Sequence, residues 1–131
     1  MTIQETFNIL KNSIYTVVGK LRVEVWVSNE PVLYENRFSG KHLVLTEGDK
    51  WGSLFDSAWF NFSGQIPKVE NGIIPVLLID INGELLLVDD NGDPLRGLTN
   101  KSSLFDRTLG EPVKRVFRLP LTAKPGDLFE Y

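Results

Sequence analysis

Between Gly19 and Asn29 the chain alternates strictly. Leu21, Val23, Val25 and Val27 are apolar, while Arg22, Glu24, Trp26 and Ser28 occupy the other register. A period of two suits a strand half-buried on a sheet, because successive side chains point to opposite faces. The pattern recurs where Ala58, Phe60 and Phe62 alternate with Trp59, Asn61 and Ser63. Shorter strands are predicted at 42–45, 95–98, 114–119 and 128–131. Residues 76–81 form an apolar run broken only by Asp80, as expected of a central strand covered on both faces. Residues 84–88 follow across Asn82-Gly83, and two such runs across Asn-Gly predict a hairpin. A second Asn-Gly, Asn91-Gly92, marks another turn, and Asn29-Glu30-Pro31, Pro67 and Asn71-Gly72 punctuate the rest. Seven or eight short strands separated this way predict a mainly β fold, a β-sandwich or jelly roll.

Ahead of these strands, residues 2–18 read as a helix. Ile3, Phe7, Leu10, Ile14 and Val17 recur at steps of four and three and share one face. Thr2 and Glu5 have capping-box spacing, and Gly19 is placed to end the helix. The apolar stripe must dock either on the domain's own sheet or on a neighbouring domain. The organisation expected is a helix over 1–19 packed on the domain and a β-sandwich over 20–131. The last residues, Leu128-Phe129-Glu130-Tyr131, lie inside a predicted strand, so a sandwich truncated at its C-terminal edge and a longer parent are expected. An open edge there would let the isolated chain dimerise by strand pairing.

Composition narrows the chemistry. With no cysteine there is no disulfide, iron–sulfur cluster or thiolate zinc site. A net charge of -3 lacks the basic surface that nucleic acid binding requires. His42 is the single histidine, so a histidine-based metal centre is not expected, and no Gly-x-Ser-x-Gly elbow or phosphate loop accompanies it. Residues 73–79, the longest apolar stretch, contain Pro75 and are too short to span a bilayer. Without a basic region followed by an apolar run at the N-terminus, a cytoplasmic protein without a membrane partner is expected. Asp89, Asp90 and Asp93 surround a turn, where aspartate serves local hydrogen bonding. Ser-Leu-Phe-Asp occurs at 53–56 and 103–106, but the flanks disagree, so it is not read as a repeat.

Aromatic residues are concentrated at Trp51, Phe55, Trp59, Phe60 and Phe62. Sugar rings present apolar C–H faces to flat aromatics and leave their hydroxyls to Asp, Asn and Arg. Trp59 points away from Phe60 and Phe62 on the pleat, so it either packs beneath another element or forms such a platform. The candidate carbohydrate-binding or interface residues are Trp51, Asp56, Trp59, Thr99, Asn100 and Asp106.

The segment Trp51-Gly52-Ser53-Leu54-Phe55-Asp56-Ser57-Ala58-Trp59-Phe60 resembles the N-terminal region of bacterial α-mannosidases of glycoside hydrolase family 38. The resemblance continues through Val76-Leu77-Leu78-Ile79-Asp80-Ile81-Asn82-Gly83-Glu84 and Gly92-Asp93-Pro94-Leu95-Arg96-Gly97-Leu98-Thr99. It covers residues 50–115. It implies a galactose-binding-like β-sandwich ahead of a catalytic domain that carries zinc on histidine and aspartate ligands and a carboxylate nucleophile. None of those motifs occurs here, so no catalytic or zinc residue is carried over and no cofactor is expected in this chain. The implied function is a non-catalytic accessory domain that supports the catalytic domain; the polar groups beside aromatics in segments 51–59 and 97–100 make these the candidates for lining its substrate cleft. Two other readings remain: a free-standing carbohydrate-binding module, and a β-sandwich protein-interaction domain marked by a large exposed apolar patch.

Overall fold

The computed structural model describes residues 1–13, 15–70, 72–99 and 115–131, the side chains of 11–13 excepted. The helix α1 spans Ile3–Ser13. Its capping box is closed in both directions: the Thr2 N–H donates to Glu5 Oε2 (2.7 Å) and the Glu5 N–H donates to Thr2 Oγ1 (3.1 Å). These bonds hold the Glu5 carboxyl below its ordinary pKa, the Thr2 backbone bond first and its side chain second. The helix does not reach Gly19. Tyr15-Thr16-Val17-Val18 combines an aromatic with three β-branched residues, which lose side-chain freedom in a helix. The described apolar side chains of α1 are largely open to solvent. Ile3, Phe7 and Leu10 are 91%, 57% and 62% exposed.

Strands β1 (Arg22–Ser28), β2 (Lys41–Leu45), β3 (Ser57–Gln65) and β8 (Leu128–Glu130) form an antiparallel sheet in the order β2-β1-β3-β8. The register places Val25 between Leu43 and Phe60, and Val23 between Leu45 and Phe62. One residue along, Trp26 lies between His42 and Trp59, and Glu24 between Val44 and Asn61. The first set faces inward and includes Val25, which is fully buried. The second forms the outer face. At β8 the pairing extends past the strand, with the Phe62 N–H donating to Tyr131 O (2.7 Å) and the Tyr131 N–H donating to Phe62 O (2.9 Å). Gly64 opposes Phe129, whose ring would lie 2.9 Å from any Cβ there, so the bare backbone lets the ring lie flat on β3.

The remaining strands form two antiparallel pairs. β4 (Val76–Leu78) pairs with β7 (Val116–Arg118), and β5 (Glu84–Val88) pairs with β6 (Pro94–Thr99). Eight strands are thus present among the described residues. Two expectations are corrected here. Asn82-Gly83 does not join a hairpin; it turns the chain out of one strand pair and into the next. Asn82 sits at φ 59°, and its N–H donates to Asp80 Oδ1 (2.9 Å), a local bond that makes the turn without any ladder across it. The hairpin forms at Asn91-Gly92, where Gly92 takes φ 85° and Asp89 Oδ1 accepts the N–H groups of Asn91 (2.8 Å) and Asp93 (3.0 Å). The apolar run at 76–81 is also not a central strand covered on both faces. Leu77 and Ile79 are buried, but Leu78 between them is 47% exposed.

The core lies between the four-stranded sheet and the two pairs. Phe62 and Ile66 meet Leu77, Ile79, Leu87, Leu98 and Leu119, with Phe60, Leu85, Phe117 and Tyr131 packed around them. This is a two-layer, mainly β architecture with one short helix. Phe62→Ala is expected to lower the unfolding free energy by about 3–5 kcal/mol, because a core aromatic is lost and its site cannot fully collapse. Leu128→Ala, at an exposed position of β8, should change it by less than about 0.5 kcal/mol. Urea denaturation of the two variants measures both.

Candidate functional site

Three of the residues singled out in the sequence, Trp51, Asp56 and Trp59, lie just before and within the start of β3. The loop 51–56 leads into β3, and Trp51 stands at its base. Its Nε1–H donates to Ile81 O (2.9 Å) and its ring meets Phe60 edge-on at 5.3 Å. Asp56 closes the loop, its Oδ2 accepting the Ser53 N–H (2.8 Å). Trp59, on the outer face, donates from Nε1 to Val32 O (3.0 Å) and contacts Tyr34 edge-on at 5.7 Å. Both indoles are half-buried, and both ring nitrogens are satisfied by backbone carbonyls of distant segments. Each thereby anchors a distant segment to the sheet. Thr99 is half-buried at the end of β6, opposite Glu84. Asn100 and Asp106 lie outside the described residues.

The structure adds a cluster that no spacing in the sequence announced. Residues 29–40 cross the outer face, with a 3-10 turn at Tyr34–Asn36. The Arg37 guanidinium lies over the rings of both Tyr34 (4.0 Å) and Phe38 (4.5 Å). Phe38 meets Trp26 at 4.6 Å, and Trp26 stacks on His42 at 4.8 Å. His42 Nε2 lies 3.2 Å from Glu24 Oε1. Tyr34 also ties this segment to the β5–β6 hairpin, donating from its hydroxyl to Asp90 O (3.0 Å). Its ring occupies the space beside Gly92, where a Cβ would come within 2.8 Å. The one advance signal was the aromatic content of 26–42, which has no period to organise it.

Two concavities flank these anchors. A hollow of about 160 Å³ beside Trp59 is lined by Ser28, Glu30, Pro31, Val32 and Ser57. A cleft of about 370 Å³ lies between the β5–β6 hairpin and the last residues, lined by Asp89, Asp90, Leu119, Pro120, Asp127 and Tyr131. Burial raises the Tyr131 hydroxyl above its ordinary pKa, and the Asp90 charge adds to the effect. Among the described residues, no group of three or more His, Cys, Asp or Glu side chains could hold a metal ion. No helix among them is long and apolar enough to cross a membrane. What the face offers is aromatic anchoring and isolated carboxylates, an arrangement suited to holding segments in place.

Comparison with known proteins gives this architecture a family. The model of the alpha-mannosidase jelly roll domain matches residues 18–118. The chain belongs to that family. The match begins after α1 and ends in β7, so it takes in the 51–56 loop, the Trp59 hollow and the β5–β6 hairpin of the jelly roll domain. No curated protein and no solved structure matches the chain significantly.

Two outcomes follow for the anchors of this jelly roll domain. Gly92→Ala forces a side chain onto a left-handed backbone and into the Tyr34 ring, so it should destabilise by about 1–3 kcal/mol. Gly97→Ala, where an added Cβ meets nothing within 4 Å, is the control, and thermal unfolding compares the two. The raised Tyr131 value fixes the sign of an alkaline effect. Its neutral phenol contributes stability that is complete below the free-tyrosine value of 10.0 and is lost as pH rises through the higher folded value. Tyr131→Phe should therefore flatten the alkaline limb of the stability profile.

Proposed function

We propose that this chain is a non-catalytic accessory domain of an α-mannosidase-like glycoside hydrolase, one that supports the catalytic domain and borders its substrate cleft. The family match over 18–118 carries this reading. The geometry supports it. The indoles of Trp51 and Trp59 are engaged in tying loops to the sheet, and Trp26 is packed between Phe38 and His42. A free-standing carbohydrate-binding module would instead present a tryptophan face to solvent. In this reading the zinc ion and the nucleophile belong to the neighbouring domain, the partner is that domain of the same polypeptide, and the protein works in the cytoplasm.

The test is to sequence the coding DNA downstream of Tyr131 and to assay both products. A frame that continues into a domain hydrolysing an aryl α-mannoside, while the 131-residue chain neither hydrolyses it nor binds manno-oligosaccharides by calorimetry, is the expected result. A stop codon directly after Tyr131, or saturable sugar binding by the chain alone, would overturn the reading.

A further inference from the structure

The 51–56 loop carries two adjacent apolar side chains at its tip that are almost wholly exposed. Leu54 is 82% exposed and Phe55 is 88% exposed. Phe55 also sits at φ 66°, a conformation that side chains larger than asparagine rarely adopt. Strain of this kind persists where the surroundings over-determine the backbone. Here they do. Asp56 Oδ2 accepts the Ser53 N–H (2.8 Å) and the Asp56 N–H donates to Ser53 O (3.1 Å), closing the turn around the two apolar residues. Trp51 fastens one end of the loop to Ile81 O, and β3 begins at Ser57 on the other. A loop needed only to connect β2 to β3 would place glycine at the left-handed position and polar residues at the tip. This one holds a Leu-Phe pair rigidly outward, which lowers the ordering cost of burying it in a partner.

We propose that the Leu54-Phe55 tip is a plug that seats in an apolar socket on the domain following in the same polypeptide. This rests on the accessory-domain reading above and deepens it. Size selects the occupant. A specific interface between free partners buries at least about 1,000 Å² in total, and the two side chains of one loop tip supply only a fraction of that. A tethered neighbour faces the tip at an effective concentration on the order of millimolar, where so small a contact suffices.

The experiment replaces Phe55 with photoreactive p-benzoylphenylalanine in the complete gene product, irradiates it and maps the cross-links by mass spectrometry. The expected result is an intramolecular cross-link from position 55 to apolar residues beyond Tyr131. Cross-links confined to residues 1–131, reaching only a second chain, or absent, overturn the proposal. A companion variant, Leu54→Ser with Phe55→Gly, keeps the loop conformation and removes both side chains. It should not lower the melting temperature of the 131-residue chain, because glycine accepts the left-handed conformation at position 55, while making limited proteolysis between the domains of the gene product faster by roughly tenfold. A lowered melting temperature of the chain would assign the pair to its own fold and sink the proposal. Hydrolysis of an α-mannoside by a gene product in which position 55 cross-links to no neighbouring domain would remove the plug alone. A gene product without a following domain would remove both the plug and the accessory-domain reading.

Discussion

The antiparallel ladder between β1 and β3 sets the terms for the rest of the molecule. It pairs the chain from Arg22 opposite Ser63 to Ser28 opposite Ser57. A slip of one residue along it would exchange the two faces of the sheet, turning Val25, Phe60 and Phe62 to solvent and Glu24 and Asn61 to the core. With the register held, Phe62 reaches the core that β4, β5 and β6 complete, and Trp26 and Trp59 stand on the opposite face. The two short strand pairs depend on this sheet, since a two-stranded ribbon is marginal in water without an apolar surface to cover.

The tryptophans show how the jelly roll domain makes loops into fixed parts of its surface. Each of Trp51 and Trp59 has its ring against an aromatic neighbour and its N–H on a carbonyl far along the chain. A buried N–H without a partner would cost about 1–3 kcal/mol, so each indole constrains the segment it touches. Val32 and Ile81 are held this way, and Tyr34 does the same for the hairpin turn at Asp90. Such anchoring fixes the loops on the sheet of this jelly roll domain.

Much of the architecture was legible beforehand. The period-two runs located β1 and β3, short apolar runs between turn signals located the other strands, and Thr2 with Glu5 located the helix start. Of the candidate site only the residues were legible: Trp51 ties the start of the 51–56 loop to Ile81, Asp56 closes that loop, and Trp59 bonds Val32 from the outer face, partners that no local pattern names. The Arg37 contact with Tyr34 and Phe38 was not legible at all, because an irregular segment has no period from which a face can be read. What covers the apolar stripe of α1 was not legible, because an amphipathic stripe states that a face is apolar without naming its partner.

Strand positions, facing residues and the absence of cysteine chemistry were determined by local sequence, because side-chain alternation and residue type act without reference to distant parts of the chain. Which strands pair was decided only by tertiary structure. Asn82-Gly83 and Asn91-Gly92 are equivalent as local signals, yet one is a crossover and the other a hairpin. The difference arises because β4 finds its partner in β7, far along the chain, and that choice is made by the shared burial of Leu77, Ile79 and Leu119 in one core.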